Sequence, residues 1–112
     1  MQTKTWTMEE IENARYKQPA SVNAEDIKLG GEFLLSSSPA SRAPNQKGLG
    51  CVEMKVIGLV SGSLSLGYNG GTAEMAVSDF CTKANAAINS GFAFFQLGEG
   101  EPLSVKAIFV KS

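Results

Sequence analysis

The chain has few residue types that can move protons at neutral pH, because none of its 112 residues is a histidine. Without an imidazole, Ser–His and Cys–His nucleophile pairs have no base, and a catalytic zinc site lacks its commonest ligand. The two cysteines, Cys51 and Cys81, are too far apart for a redox C-x-x-C motif or a zinc ribbon. We interpret both as buried, reduced thiols that pack as small apolar side chains, and we expect no metal and no cofactor.

Carboxylate pairs are the remaining candidates for acid–base chemistry. The candidate pairs are Glu9/Glu12, Glu25/Asp26 and Glu99/Glu101. All of them begin helices or form turns, where acidic residues are ordinary, so we do not expect them to be catalytic. A small carboxylate-dependent enzyme is the third hypothesis, and a concave pocket with two acids would strengthen it.

A polar segment and one tyrosine are candidates for binding a ligand. Residues 36–50 include Arg42 and Lys47, two prolines, two glycines and no acid, so cationic side chains and free backbone amides could hold a phosphate there. Tyr68, beside the Asn69-Gly70 turn, could stack on a base or sugar, with Lys55 across from it. Arg42, Lys47 and Tyr68 are therefore the candidate ligand-binding residues. The competing interpretation is a loop that is solvated or covered by a partner.

Three apolar side chains are candidates for contact with a second subunit. Thr7 and Glu10 have the spacing of a capping box, and Trp6 and Ile11 have that of a hydrophobic staple. The helix that follows has a thin apolar face, so Trp6 and Ile11 need a neighbour, either the body of the domain or another subunit. Phe95 points away from its neighbours in the expected strand, which places it either under a helix or at an interface.

Hydrophobic periodicity and turn residues predict an α+β fold built mainly on an antiparallel sheet or small barrel. We expect strands at residues 32–36, 51–60, 62–68, 71–77, 92–97 and 103–110, and helices at residues 8–17 and 79–89. The last two strands are expected to form a hairpin, with Phe92, Phe94, Val105, Ala107 and Phe109 in the core. A rival interpretation begins the second helix at Thr72.

Two tight turns predict a three-stranded meander over residues 51–77. Ser61-Gly62 and Asn69-Gly70 are both hairpin signals, and together they bring the same six apolar side chains to one face. These are Ile57, Leu59, Leu64, Leu66, Ala73 and Met75. The opposite face has only small residues at Gly58, Ser63, Ser65 and Gly67, which suggests that a helix or another chain packs there closely.

From residue 51 onward the order of elements is strand, strand, strand, helix, strand, strand. This order resembles the oligonucleotide/oligosaccharide-binding (OB) fold, whose helix lies between its third and fourth strands. A glycine within the first long strand, Gly58, also fits a strand that bends around a barrel. The resemblance rests on element order and implies a binder of single-stranded nucleic acid or of nucleotides.

The length and net charge of the chain limit the remaining possibilities for its organisation and partners. We expect one domain over residues 1–112, with an N-terminal helical arm at residues 1–20 and a long polar loop at residues 36–50. Ten Lys+Arg against eleven Asp+Glu give a net charge of −1, so no overall basic field attracts nucleic acid or anionic lipid. We predict neither a signal peptide nor a membrane-spanning segment. The default location is the cytoplasm, with a virion as the alternative.

The leading hypothesis is a non-catalytic binding or assembly module that self-associates into a homo-oligomer, with a protein partner as a further option. Small accessory proteins of phages and mobile elements often have this build, which is an association at the level of fold. An OB-like binder of single-stranded nucleic acid or nucleotides is the runner-up.

Overall fold

The structure is a computed structural model that describes residues 3–41 and 48–111. Its strands are β1 (Lys4–Trp6), β2 (Tyr16–Lys17), β3 (Glu32–Ser36), β4 (Leu49–Val60), β5 (Ser63–Tyr68), β6 (Gly71–Ala76), β7 (Ala93–Phe95), β8 (Leu103–Val105) and β9 (Ala107–Lys111). The helices are α1 (Met8–Asn13) and α2 (Val77–Ser90), with a 3-10 turn at Ala24–Asp26. The prediction of an α+β fold with a mainly antiparallel sheet is confirmed. Within the described ranges, no helix has the length and apolar character that a membrane crossing requires.

Seven strands form the main sheet in the order β2-β9-β3-β4-β5-β6, with β1 also paired to β4. All of these pairings are antiparallel, and β7 and β8 form a separate two-stranded sheet. The end strands β2 and β6 do not pair with each other in the described part of the chain. The sheet is therefore open there, and the OB-like order is not confirmed.

Each face of the main sheet has its own apolar cluster. The inner face, defined here by Phe33 and Val52, packs against Phe80, Ala84 and the rest of the buried side of α2. The outer face includes Leu34, Leu49, Cys51 and Phe109, and it packs against Ile11 of α1 and Tyr16 of β2. Because successive side chains of a strand point to opposite faces, β3 and β9 are apolar along consecutive residues and are buried on both sides.

The meander of β4, β5 and β6 is confirmed, with one correction to its register. Leu59 faces Leu64 as predicted, and Leu64 and Leu66 face Met75 and Ala73 as predicted. A bulge between Val56 and Gly58, however, places Val56 and not Ile57 opposite Leu66. The extra residue shifts the face assignment locally, so Val56 is buried on the inner face and Ile57 is 51% exposed.

The first helix is shorter than predicted. The Thr7–Glu10 capping box is present, because the Glu10 amide donates to Thr7 Oγ1 at 3.1 Å and the Thr7 amide donates to Glu10 Oε1 at 3.0 Å. The helix nevertheless ends at Asn13, since Arg15 has a left-handed φ of 69°. The chain then pairs with β9 as the short strand β2, so the second half of the predicted helix at residues 8–17 is wrong.

The C-terminal hairpin is also only partly as predicted. β7 pairs with β8, but the segment predicted as one strand at residues 103–110 is divided, and β9 inserts between β2 and β3 of the main sheet. Ala107, Ile108 and Phe109 are consecutive and buried. A two-stranded sheet cannot cover both faces of such a run, whereas a central position in the main sheet does.

The second helix begins two residues before the predicted start and ends one residue after the predicted end. Residues 71–76 form a strand, so the rival interpretation of a helix from Thr72 is wrong. The helix ends as expected at Gly91, which is left-handed with a φ of 70°.

Candidate functional site

Two of the residues predicted to contact a second subunit belong to the outer-face cluster. Ile11 has no exposed surface. Trp6 is half-buried, meets Tyr16 edge-on with ring centroids 6.0 Å apart, and has the Lys4 ammonium 4.9 Å from its ring centroid. The Trp6 indole Nε1 is buried without a hydrogen-bond partner among the described residues. Within one chain, both side chains fasten α1 to the sheet.

The third predicted contact residue, Phe95, is fully buried on the inner side of the molecule. Its ring packs edge-on against Phe80 of α2, with centroids 5.9 Å apart, which is the first of the two alternatives that its position allowed. Phe92 and Phe94 were predicted to be in the core, and this is wrong, because they are 45% and 51% exposed. The buried side chains of this strand are instead those of Ala93 and Phe95, which alternate with Phe92 and Phe94.

The exposed rings of Phe92 and Phe94 contact each other at 4.6 Å between centroids. The Lys83 ammonium donates to the Phe94 carbonyl oxygen at 2.7 Å and fixes this strand to α2. The sequence does contain a signal for this surface aromatic pair, since Phe92 and Phe94 alternate with Ala93 and Phe95. Which of the two sets is buried depends on the position of α2.

Of the three predicted ligand-binding residues, Arg42 and Lys47 lie outside the described residues. Tyr68 is half-buried beside the inner core, and its hydroxyl donates to the Leu97 carbonyl oxygen at 3.2 Å. It faces Met54 across the sheet, while Lys55 faces Gly67. Tyr68 and Lys55 nevertheless line the same cleft.

This cleft, of about 750 Å³, lies over the part of β4 that α1 leaves uncovered. It is lined by Thr3, Lys4, Tyr16, Glu32, Cys51, Val52, Glu53, Met54, Lys55, Ile57, Gly67, Tyr68 and Asn69. A volume of this size suits a small organic ligand. The charged side chains in it are two lysines and two glutamates, so the cleft has no excess of either sign.

The two glutamates of the cleft were not among the predicted carboxylate pairs. Glu32 forms an ion pair with Lys111 at 3.5 Å, and Glu53 is exposed. All six acids of the predicted pairs are exposed. In the ranges 3–41 and 48–111, no three histidine, cysteine or acidic side chains come close enough to hold a metal ion.

Nucleophilic groups of the cleft are held in their neutral form. Burial raises the pKa of the Cys51 thiol to about 11, against a weaker opposite effect of its hydrogen bond with Ser36. Burial, together with the negative charges of Glu32 and Glu53, raises the pKa of Tyr16 to about 12. Both cysteines are free, and burial also raises the pKa of Cys81. A thiolate nucleophile is therefore disfavoured at neutral pH.

The outer edge of β6 is the second feature of this uncovered half of the sheet. The Val77 amide donates to the Gly62 carbonyl oxygen at 2.9 Å, on the side of β5. Because backbone groups of an antiparallel strand alternate in direction, the amides and carbonyls of Thr72, Glu74 and Ala76 point away from β5. No strand pairs with them in the part of the chain that the structure describes.

The small-residue face predicted for the meander lies on the outer face of the sheet. Ile57, displaced by the bulge, lies over Gly67, where an added Cβ would be 3.2 Å from Ile57 Cγ2. Gly58 is equally close to Ser65. The small residues thus accommodate the bulge, and no helix within the described ranges packs on them.

Comparison with known proteins finds no matching family model, no matching curated protein and no matching solved structure.

Proposed function

We propose that this protein is a non-catalytic assembly module that self-associates, and that copies meet through β6. The observation that carries the proposal is the unpaired outer edge of β6, a strand of six residues. Such an edge presents a row of unpaired amides and carbonyls, which is a template for pairing with another strand.

The sequence of β6 supports this role because it lacks the usual devices that block edge pairing. Natural edge strands are commonly protected by proline, lysine, bulges or very short length. β6 has none of these, and Glu74 is its only charged residue. The opposite end of the sheet differs, since β2 has two residues and one of them is Lys17.

The position of α2 also supports access to this edge. The helix follows β6 directly, and its buried residues Phe80, Ala84 and Ala87 pack on the inner face of the sheet. It contacts β6 and also β9, which lies on the other side of β3, β4 and β5 in the main sheet. The helix therefore runs across the sheet and does not lie along the edge.

A non-catalytic role is supported by the state of the candidate nucleophiles and acids. The Cys51 thiol and the Tyr16 hydroxyl are neutral at pH 7 even at their ordinary pKa values, and burial raises both pKa values further from neutrality. Glu32 is paired with Lys111. Assembly through backbone pairing requires none of these groups.

Light scattering coupled to size-exclusion chromatography tests the proposal over a range of loading concentrations. We expect the mass to rise with concentration for the native chain. Glu74→Pro removes an amide that points outward, so the β5–β6 ladder is retained while pairing at the edge is blocked. Its matched control, Glu74→Ala, keeps the amide and should still associate.

A native chain that stays monomeric at roughly 100 μM would contradict the proposal, since this concentration corresponds to only about 5.5 kcal/mol of association free energy. Equal association of Glu74→Pro and Glu74→Ala would exclude the β6 edge as the contact. Circular dichroism of both variants establishes that each is folded.

The second candidate function is binding of a nucleotide or single-stranded nucleic acid in the cleft. The observation in its favour is that Tyr68, Asn69, Lys4 and Lys55 line one concave surface. Fluorescence anisotropy with labelled oligonucleotides and nucleotides at low salt tests it, with Lys55→Ala expected to weaken binding. Flat titrations would remove this candidate. Glu32 and Glu53 in the same cleft oppose a polyanion, so we place it second.

The third candidate, a carboxylate-dependent enzyme, has one observation in its favour. Glu32 and Glu53 give the cleft the two acids that this hypothesis required. Because Glu32 is paired with Lys111 and Glu53 is exposed, we place it last.

A further inference from the structure

We propose that two copies of this chain pair antiparallel along β6 about a two-fold axis at Ala73. This inference rests on the proposed self-association and specifies its partner and register. It follows from which backbone groups of β6 are free and from which side chains would meet in each possible register.

The free backbone groups restrict the possible registers. Thr72, Glu74 and Ala76 present their amides and carbonyls outward, whereas Ala73 and Met75 direct theirs to β5. An axis at Ala73 places Thr72 opposite Glu74 of the second copy, and Glu74 opposite Thr72 of the second copy. Both are hydrogen-bonded pairs, and together they give about four new backbone hydrogen bonds.

The side chains favour the same register. On the outer face, each Thr72 hydroxyl can donate to the Glu74 carboxylate of the other copy. Both residues are exposed, and within the chain the Glu74 carboxylate accepts a long hydrogen bond from Ser65 Oγ, at 3.4 Å, which leaves further acceptor positions on its two oxygens. On the inner face, Gly71 leaves room opposite the half-buried Met75, and Ala73 meets its own copy at the axis.

The neighbouring registers are less favourable for reasons of charge and size. An axis at Glu74 places the only charged side chain of β6 opposite itself, and like charges directly opposite each other are destabilising. An axis at Met75 brings two methionine side chains together and pairs Ala73 with Val77, where the strand has already become a helix.

A second copy of this chain can pair with the β6 edge, and no other molecule is required. A two-fold axis perpendicular to the sheet keeps inner face beside inner face, so the two clusters remain continuous across the junction. The Glu74 carboxylate, the one acid of the strand, then meets a hydroxyl donor that the same strand supplies.

Single cysteines in β6 test the register, in a Cys81→Ser background so that the half-exposed native thiol does not react. Ala73→Cys, Glu74→Cys and Met75→Cys would each cross-link to itself only if the axis lies at that residue. A directly opposite, non-hydrogen-bonded pair has Cα atoms about 4.5 Å apart, within the range of a disulfide. Under mild oxidation we expect covalent dimer from Ala73→Cys, and about tenfold less from the other two.

A second set of variants avoids any change in the buried Ala73 position. Thr72→Lys should tighten the dimer, because the lysine would lie opposite Glu74 of the other copy, and Thr72→Glu should loosen it by placing two like charges there. The two dissociation constants should differ about tenfold, because the contact between residues 72 and 74 occurs twice in the dimer. In a Glu74→Gln background this difference should fall to about twofold or less. Unfolding of each variant, measured at a concentration where it is monomeric, separates effects within the chain from effects between chains.

The outcomes distinguish the two proposals. A native chain that is monomeric at every concentration overturns both the assembly function and this register. A native dimer that cross-links best at residue 74 or 75, or that responds equally to Thr72→Lys and Thr72→Glu, overturns the register and leaves self-association standing.

Discussion

The two halves of the main sheet differ in how many of their faces are covered. β3, β9 and the first residues of β4 lie between α1 and α2 and are buried on both faces. β5, β6 and the end of β4 are covered only on the inner face, and on the outer face Ile57 and Val60 are 51% and 71% exposed. The first half is covered by elements of the same chain, whereas the second has a free edge, and the open cleft lies where the two halves meet.

The burial patterns of the strands record this difference. In β3 four consecutive residues are buried, as expected for a strand covered on both faces. In β5 buried Leu64 and Leu66 alternate with partly or fully exposed Ser63 and Ser65. The spacing of buried residues along a strand therefore distinguishes a strand covered on both faces from a strand covered on one face only.

The largest loss of stability is expected from a change to Phe95, the aromatic side chain that packs under α2. Phe95→Ala should lower the free energy of unfolding by about 3–5 kcal/mol, because it leaves a cavity beside Phe80. Phe94→Ala, one residue away and half-exposed, should change it by less than about 0.5 kcal/mol. Urea denaturation of both variants measures the difference, and similar losses would contradict the assignment of Phe95 to the interior.

The outer face itself provides the next comparison. Leu34→Ala, under α1, should lower the free energy of unfolding by about 2–4 kcal/mol. Ile57→Ala lies on the uncovered half of that face and should lower it by about 1 kcal/mol or less. If Ile57→Ala were as costly as Leu34→Ala in a monomeric sample, the outer face near Ile57 would have to be covered.

Alkaline pH should first destabilise the half of the sheet that is covered on both faces, where Tyr16 lies. The pKa of Tyr16 is raised by burial to about 12 from an ordinary value of 10.0, so its neutral form is favoured by folding. This stability is present below pH 10 and is lost as the pH rises toward 12. Thermal melting of Tyr16→Phe against the native chain should show a shallower alkaline decline, and parallel curves would contradict it.

The smallest change in stability concerns the Ser61-Gly62 turn, in the half of the sheet that is covered only on its inner face. Ser61 has a left-handed φ of 51° and precedes Gly62. Asn tolerates this conformation better than Ser, so Ser61→Asn should raise the free energy of unfolding by about 0.5 kcal/mol. Ser63→Asn, in the adjoining strand, is the control and should not stabilise. A melting temperature for Ser61→Asn that is unchanged or lower would contradict the expected gain.

Much of the sheet was predictable because its signals are local. The Asn69-Gly70 turn and the alternation of Leu64 and Leu66 with serines specify both the hairpin and its register. The Thr7–Glu10 cap is equally local, and it is present as expected. The bulge at Ile57 was not predictable, because a single extra residue leaves the hydrophobic pattern almost unchanged while it moves one side chain to the other face.

The candidate site was less predictable than the sheet. The free edge of β6 and the cleft over β4 exist because α1 stops at Asn13 and because β9 occupies the sheet position beside β3. Neither feature can be predicted from the residues of β6 or of the cleft themselves. The exposed pair Phe92 and Phe94 could be named only after the side of α2 was known.

The sequence by itself determined the fold class, the central meander and the absence of histidine chemistry, because turn residues, periodicity and residue types act within a few positions along the chain. The tertiary structure alone decided which strand joined β3, which aromatic rings were buried and which sheet edge was left free. These depend on contacts between segments distant in sequence, where burying Ala107, Ile108 and Phe109 on both faces outweighs the local preference for a hairpin.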